Sequence, residues 1–379
     1  MNQDKLMSQF VNFKRTWDVN TDLPTSFRVV YSNDVFNINN GDLLSYSKIV
    51  RRLVIIDQTV YELYKDSMNE YFNHHSIELC LLVIDATESN KNWNTTQEIL
   101  KFFEDNKLIR RETVIGIGGG VLLDIVGFAA SLYRRGIQYI KVPTTLLAIV
   151  DASVGAKVGI NHFERRNRLG SYYPPIASLI DRKFISTQSE YEIKNGICEM
   201  FKLAVIKNEE LFDILNQTAD QLLTEKFQRG AVPVRAINLA ITGMIEELAP
   251  NLWEKKLDRC VDFGHSFSPM IEMKNLPNLS HGEAVLLDCI FSCCIAFVRE
   301  LITIDQLNTI VGAARKLKLQ VYHDDFTNIT LLEAALNDTS LHRNANQYLP
   351  MPAGIGKYVI LNDVTIDNIS KAIEVYKSL

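Results

Sequence analysis

Two histidines and one glutamate in this chain have the side chains that bind a catalytic metal ion. His265 lies in the segment Asp262–Pro269, and His281 follows sixteen residues after it. Glu199 lies upstream of both, and the surrounding C-terminal half otherwise has the pattern of apolar helices. Two imidazoles and one carboxylate are a usual ligand set for a zinc-type ion that keeps one position open for a substrate. The three residues therefore predict a metal-dependent reaction, and they do not distinguish zinc from cobalt.

Lys202 accompanies Glu199 on the same predicted helix. The two residues are three positions apart, so their side chains share one helix face. An isolated pair of this kind is usually a surface salt bridge, which is the alternative interpretation. The apolar neighbours Ile197, Phe201 and Leu203 favour partial burial instead. One side chain can then hold the metal ion while the other contacts the same ligand.

A cluster of glycines follows a predicted strand and precedes a predicted helix. Gly118, Gly119 and Gly120 allow the backbone to approach a pyrophosphate, and a helix N-terminus favours negative charge. A plain tight turn is the alternative. The motif is GIGGG rather than GxGxxG and follows the fourth strand rather than the first, so a standard Rossmann motif is not expected.

Charged residues at two other predicted strand ends are further candidates for binding a cofactor. Asp57 follows a buried strand, where an acid can accept a hydrogen bond from a ribose hydroxyl. Glu88 and Lys91 follow the end of another strand. Each of the three can equally be a solvated loop charge.

The central segment from Val142 to Lys157 is dense in small and polar residues. Thr144 and Thr145 follow a strand, where they can bind a cofactor or cap a helix. Lys157 and the later Arg166 are candidate anion-binding residues in a protein of formal net charge −5.

The composition is typical of an ordinary soluble protein and argues against general binding to nucleic acid or to anionic membranes. The 379 residues are 47% hydrophobic and 22% charged, and the negative net charge gives no general attraction to nucleic acid or anionic membranes. Six scattered cysteines without a CxxC pair indicate buried free thiols and a reducing cytoplasm. The N-terminus lacks a hydrophobic signal core, and no apolar run is expected to span a membrane.

Short apolar runs alternate with amphipathic segments up to about residue 185, and helical spacing dominates afterwards. This order predicts an α/β domain over 1–185, with a mostly parallel sheet and a loose arm over 1–25, followed by a helical domain over 186–379. The predicted strands are 27–31, 53–56, 79–84, 114–117, 137–142 and 177–180, and the first helices are 59–72, 95–106 and 121–133. The later helices are 189–208, 211–228, 234–248, 266–273, 282–300 and 304–317.

Taken in order, these motifs resemble the sugar phosphate cyclase superfamily, whose best-known member is 3-dehydroquinate synthase. The resemblance covers about residues 50–355. It is carried by Gly118–Gly120 with Asp124, the block Val142–Lys157, Asn167, Glu199 with Lys202, Gly264–His265 and His281–Glu283.

The resemblance implies an N-terminal Rossmann-like domain that binds NAD+, a C-terminal helical domain, one divalent metal ion between them, and a homodimer. It implies that Arg135 contacts the substrate phosphate across the dimer. The other implied roles are metal binding by Glu199, His265 and His281, substrate binding and catalysis by Asp151, Lys157, Asn167 and Lys202, and cofactor binding by Asp124.

Two positions near His265 depart from the 3-dehydroquinate synthase pattern Asn-x-Gly-His-x-x-x-His. Asp262 replaces the asparagine and Pro269 replaces the last histidine. The family also has an arginine four residues before the asparagine and a lysine about eighteen before it. Asp258 and Met244 occupy those positions here, so the two cations that receive the substrate carboxylate are missing. Lys256 and Arg259 are close, and a small register shift is the alternative.

A pocket without paired cations binds a carboxylate poorly, because a desolvated anion needs counter-charges. Asp262 suits a substrate with hydroxyls there, such as sedoheptulose 7-phosphate. The pattern most closely resembles the 2-epi-5-epi-valiolone synthases, whose discriminating positions correspond to Leu248, Asp262 and His342.

The resemblance implies a reaction in which NAD+ is not consumed. NAD+ oxidises carbon 5 of the sugar, a proton leaves carbon 6, phosphate leaves carbon 7, NADH returns the hydride, and an intramolecular aldol reaction closes the ring. Lys157 and Lys202 would stabilise developing charge, and Asp151 would orient a hydroxyl or relay a proton. The alternatives are a cyclase that forms 2-epi-valiolone, desmethyl-4-deoxygadusol or 3-dehydroquinate, a metal-dependent polyol dehydrogenase, and a silent sugar-phosphate sensor.

Overall fold

The computed structural model describes residues 24–46, 49–163 and 165–379, apart from the side chain of His342. The predicted arm over 1–25 therefore lies almost wholly outside the described residues. The fold class expected from the sequence is confirmed, because a mixed α/β part with a parallel sheet precedes a mainly helical part.

Among the described residues, six parallel strands form the main sheet, in the order β1-β8-β5-β4-β2-β3. Their bounds are β1 Arg28–Tyr31, β2 Arg51–Asp57, β3 Glu78–Ile84, β4 Thr113–Gly118, β5 Gln138–Pro143 and β8 Ala177–Ile180. The helices between them are α1 Gln58–His74, α2 Trp93–Asp105 and α3 Gly120–Leu132. All six strands and three helices expected in this part are therefore present, with ends shifted by a few residues.

Both faces of this sheet are covered, which explains why its strands are continuous apolar runs. On β2, Leu53 and Ile55 pack into one hydrophobic cluster with Ile99 of α2 and Ile125 of α3. The alternate residues of β2 pack into the opposite cluster with α1. The crossover helices thus lie on both faces and leave the carboxyl ends of the strands open for a site.

A two-stranded antiparallel hairpin, β6 Lys157–His162 and β7 Arg165–Tyr172, was not predicted from the sequence. Its strands approach closely at a pair of glycines, where a Cβ on Gly159 would lie 2.7 Å from the carbonyl oxygen of Leu169. Val158 and Ile160 anchor the hairpin in the hydrophobic cluster beneath α3.

The remainder is mainly helical, but it is not purely so. The expected helix over 211–228 is two helices, separated at Thr218, and a second hairpin follows near the C-terminus. The last strand of the main sheet ends at Ile180, a short 3-10 helix spans Arg182–Thr187, and the next α-helix begins at Glu190. A boundary at 185 stays a prediction. The elements are α4 Glu190–Ile206, α5 Glu209–Gln217, α6 Ala219–Thr224, α7 Val232–Leu248, α8 Ser268–Asn275, α9 His281–Val298, α10 Ile304–Lys316, α11 Ile329–His342, β9 Leu349–Pro352, β10 Tyr358–Leu361 and α12 Ile366–Lys377.

The helix α9 runs through the centre of the helical part. Its 18 residues have a mean hydropathy of 1.7, so by length and composition alone it is able to cross a membrane, which corrects the sequence expectation. In the fold, 78% of it is buried against other elements, including α4 and α12. The apolar composition of α9 is therefore that of a core helix.

Candidate active site

Three elements bring the predicted metal ligands together. Glu199 lies on α4, His265 in the turn before α8, and His281 in the first turn of α9. One ligand atom from each lies within 4.8 Å of the others. The Nε2 atoms of His265 and His281 lie 4.0 Å and 3.4 Å from Oε1 of Glu199. The spacing matches a site whose ligands converge on one cation.

The charge states of Glu199 and His265 also fit a divalent cation. Both carboxylate oxygens of Glu199 are buried without a well-aligned hydrogen-bond donor among the described residues, although Lys202 Nζ lies 2.6 Å from Oε2. Burial disfavours its charge, but Lys202 and the imidazoles hold the pKa of Glu199 well below its ordinary value. Burial and the charge of Lys202 lower the pKa of His265 to about 3, so this imidazole is neutral and able to bind metal.

Neighbouring polar groups fix the two histidines. Nδ1 of His281 lies 3.1 Å from a carboxylate oxygen of Glu272, which orients the ring so that Nε2 faces Glu199. The buried carboxylate of Asp288 accepts hydrogen bonds from the backbone N–H groups of Phe267 and Ser268, two and three residues after His265. These contacts set the metal-binding geometry before any ion binds.

A cavity of about 490 Å3 opens beside these ligands, between the sheet and the helical part. Its wall contains most of the residues that the sequence assigned to catalysis and to substrate. They are Asp151, Lys157, Arg166, Asn167, Lys202, Leu248, Asp262, His265 and His281.

Three residues assigned to the cofactor from sequence, Glu88, Lys91 and Asp124, line this same cavity. The Nζ atom of Lys91 is buried and donates hydrogen bonds of 2.6 Å to Asp124 and to Asn167. Glu88 accepts a hydrogen bond from Asn161 at 2.8 Å. These residues therefore line the same cavity as His265 and His281, and a cofactor that reaches them must extend into the catalytic cavity.

A second cavity of about 380 Å3 lies at the carboxyl ends of β2, β4 and β5. Its wall includes Asp57, Gly119, Gly120, Thr144 and Thr145. Gly120, Val121 and Leu147 line both cavities, which therefore adjoin.

Two buried polar atoms in the second cavity lack a hydrogen-bond partner among the described residues, the hydroxyl of Thr144 and Nε2 of Gln188. Such groups are costly unless a ligand or water satisfies them. Gly118 lies behind the cavity rather than in its wall, and its carbonyl accepts a hydrogen bond from the Thr144 N–H at 3.0 Å. Of the three predicted glycines, Gly119 and Gly120 are therefore the two positioned to contact a ligand.

Several cations of the catalytic cavity already have carboxylate partners, which the sequence did not predict. Arg166 contacts the carboxylate of Glu272 and lies 2.8 Å from Nδ1 of His281. Lys157, which is 60% exposed, lies 2.5 Å from Glu254. Binding of a substrate anion by Arg166 or Lys157 stays a prediction that requires exchange of these partners.

The structure also contradicts the inference that this end of the cavity lacks cations. Asp258 is acidic and exposed, but the residue after it, Arg259, lines the cavity and binds Asp262. A cation is therefore present at this end of the cavity, and its correspondence to the family arginine by a small register shift stays a prediction. Arg343, which was not singled out in the sequence, also binds Asp262. Asp262 and Arg343 are 81 positions apart in the chain, so the spacing of residues could not predict their contact.

Lys141, which the sequence did not single out, supports the π-helical turn Ala148–Ala152 that contains Asp151. This buried lysine on β5 donates hydrogen bonds to the carbonyls of Ala152 at 2.7 Å and Gly155 at 3.2 Å. Burial lowers the pKa of Lys141 to about 8. Burial and the charge of Glu199 raise the pKa of Asp151. The position of a lysine in the middle of an otherwise apolar strand could have indicated this role from the sequence.

Two predicted substrate residues do not lie in the described cavity wall. Arg135 is exposed and lies three residues before the start of β5, so it is at the amino end of the sheet, whereas the cavities are at the carboxyl end. Its proposed contact across a dimer stays a prediction. His342 is the last residue of α11, and its side chain is outside the described part of the chain.

Comparison with known proteins identifies the family. Residues 81–195 match the model described as 3-dehydroquinate synthase N-terminal, and residues 196–340 match that described as 3-dehydroquinate synthase C-terminal. The chain belongs to the 3-dehydroquinate synthase family. The resemblance to sugar phosphate cyclases is thereby confirmed.

Within this family, the chain is similar to 2-epi-5-epi-valiolone synthases. The one from Actinoplanes sp. is 41% identical over 367 residues, which cover 94% of this chain and 92% of the relative. The solved structure of ValA (2-epi-5-epi-valiolone synthase) from Streptomyces hygroscopicus subsp. jinggangensis 5008, with NAD+ and Zn2+ bound, has a TM-score of 0.92 at 41% identity, covering 96% of this chain and 99% of that one. The demethyl-4-deoxygadusol synthase from Trichormus variabilis is 36% identical over 361 residues, covering 93% and 88%.

Proposed function

We propose that this protein is a sedoheptulose 7-phosphate cyclase that releases phosphate and forms 2-epi-5-epi-valiolone. The observation that carries the proposal is the convergence of Glu199, His265 and His281 beside a cavity whose wall includes Asp262 and Leu248. The similarity to 2-epi-5-epi-valiolone synthases over nearly the whole chain supports the same branch.

NAD+ and one divalent ion, zinc or cobalt, fit the residues present. Two adjoining cavities that share Gly120 suit a dinucleotide, with Asp57 at one end and Lys91 and Asp124 at the other. Glu199, His265 and His281 would hold the metal ion. When bound, NAD+ supplies reversible hydride transfer and the metal ion supplies Lewis acidity.

The side chains of this protein would orient the sugar and handle its charge and protons. Lys202 Nζ, next to Glu199, would stabilise negative charge that develops on a sugar oxygen. Asp151, whose pKa is raised, would hold or relay a proton at its carboxylate. Lys157, the most exposed cation of this wall, would bind phosphate oxygens after exchanging Glu254.

Phosphate release from sedoheptulose 7-phosphate, with NAD+ and a zinc or cobalt salt, tests this function. The His265→Ala variant should lose turnover, whereas His162→Ala should retain it, because His162 lines neither described cavity. Phosphate release from the 3-dehydroquinate synthase substrate, and none from sedoheptulose 7-phosphate, would place the protein in another branch.

A homodimer in the cytoplasm is part of the same proposal. The exposed position of Arg135, remote from the cavities of its own chain, supports a role toward a second copy. Sedimentation analysis of the purified protein tests the oligomeric state, and a monomer with full activity would contradict it.

A further inference from the structure

A buried carboxylate at one end of the catalytic cavity is held by two arginines. Oδ1 of Asp262 accepts a hydrogen bond of 2.6 Å from Arg259, and Oδ2 accepts bonds of 3.2 Å from Arg259 and 3.0 Å from Arg343. Arg259 thus binds the carboxylate of Asp262 in a bidentate geometry, which is the stronger arrangement for an arginine–carboxylate pair.

The surroundings keep this carboxylate charged and in place. Burial opposes its ionisation, but Arg259 and Arg343 outweigh that effect and hold the pKa of Asp262 below its ordinary value. Arg343 also donates to the carbonyls of Gln347 and Tyr348 at 3.0 Å and 2.8 Å, so its guanidinium is fixed from two sides. Asp262 therefore behaves as a permanent anion in the wall.

The neighbouring charges are nearly balanced. Besides Asp262 and Arg259, the wall at this end of the cavity contains Glu254, which contacts both Arg259 and Lys157, while Arg343 contacts Asp262 from outside the wall. Three cations thus face two carboxylates. A carboxylate on an incoming substrate would find its natural partners already engaged, and it would be repelled by Asp262.

We propose that Asp262 is an internal substitute for a substrate carboxylate: it occupies Arg259 and Arg343, and so makes the cavity select a neutral, hydroxyl-bearing substrate end. This inference rests on the proposed function. The cations that the sequence suggested were absent are thus present as Arg259 and Arg343, and the carboxylate of Asp262 neutralises part of their charge. Asp262 is then a specificity-determining residue, with Arg259 and Arg343 as its positioning partners.

The Asp262→Asn variant provides the test, because the amide keeps the shape and removes the charge. The probe is the carboxylated substrate of 3-dehydroquinate synthase, and its affinity for the NAD+- and zinc-loaded protein is measured by the shift in thermal unfolding over a ligand titration. We expect the variant to bind this probe at least tenfold more tightly than the wild type. Asp258→Asn is the matched control, since the same change is made at an exposed acid four residues away, and its affinity should equal that of the wild type.

Removal of the Asp262 charge leaves two largely buried arginines without this counter-charge, which could prevent folding. A second variant therefore tests the same inference. Asp262→Asn combined with Arg343→Met removes one buried cation and still releases the two nitrogens of Arg259 that bind Asp262, although Glu254 stays in contact with Arg259; it should also bind the probe at least tenfold more tightly. An unchanged affinity in whichever variant folds, or an equal gain in Asp258→Asn, overturns the inference. Because the probe measures binding rather than turnover, the result is separate from phosphate release by the wild type, which tests the proposed function.

Discussion

The contact between α9 and α4 depends on Gly282, the residue after the metal ligand His281. A Cβ at this position would lie 2.3 Å from the carbonyl oxygen of Asn195 and 2.4 Å from its side-chain oxygen. Ordinary contacts begin near 3.4 Å, so Gly282→Ala must displace the start of α9 from α4 by about 1 Å. The N–H of Gly282 also donates to Asn195 Oδ1 at 2.7 Å, and this bond would be weakened.

The expected cost follows from these two effects. Overpacking of a close contact costs about 1–3 kcal/mol, and loss of a partly buried hydrogen bond costs about 1 kcal/mol. Together they predict a destabilisation of about 2–4 kcal/mol. Metal binding tolerates displacements of only about 0.2 Å, so the affinity for zinc should fall at least tenfold because His281 moves with α9.

Gly312→Ala is the matched control. Gly312 lies inside α10, and a Cβ there would meet nothing within 4 Å. This variant should be more stable by about 0.5–1 kcal/mol because alanine is the better helix former. Thermal unfolding and a competition titration with a zinc chelator measure both variants. Wild-type stability and zinc affinity in Gly282→Ala would refute the view that close packing of these helices positions the metal ligand.

Three further predictions concern residues around the cavities. Burial raises the pKa of Asp288 from 3.8 to about 6, so the folded state binds more protons than the unfolded state between these values. The stability of the wild type relative to Asp288→Asn should therefore fall by about 2 kcal/mol between about pH 4 and pH 7. Denaturant unfolding measures this difference, and a value that does not change with pH would contradict the prediction. Lys141→Met should lower kcat at least tenfold with little change in zinc affinity, because it leaves the carbonyls of Ala152 and Gly155 without their donor. Unchanged steady-state kinetics would contradict a role of Lys141 in positioning Asp151. Mixed subunits of inactive Arg135→Ala and inactive His265→Ala should regain activity if Arg135 serves the partner's site, and no recovery would contradict that role.

The sequence predicted features whose signal is local. Apolar runs such as Leu53–Ile56 identified the strands of the sheet because parallel strands are buried on both faces. The ligands Glu199, His265 and His281 were recognisable from residue type and motif. The hairpin with Lys157 and Arg166 was missed because its second strand is largely exposed and polar.

Pairings between distant residues could not be predicted from one sequence. Lys91 binds Asp124 and Asn167, which are 33 and 76 positions away. In the same way, counting back from Asp262 suggested missing cations, whereas the fold brings Arg259 and Arg343, the residue directly after α11, into contact with Asp262. Spacing in the chain determines neither contact, because both depend on how the elements pack.

Product analysis tests the central claim most directly. Purified protein with sedoheptulose 7-phosphate, substoichiometric NAD+ and zinc is followed by NMR, together with phosphate and NADH assays. The proposed function predicts 2-epi-5-epi-valiolone and phosphate in equal amounts, many turnovers per NAD+, and no accumulation of NADH. An oxidised, uncyclised sugar with NADH accumulating in step would indicate a dehydrogenase and contradict the assignment, as would a different cyclitol or the absence of any product.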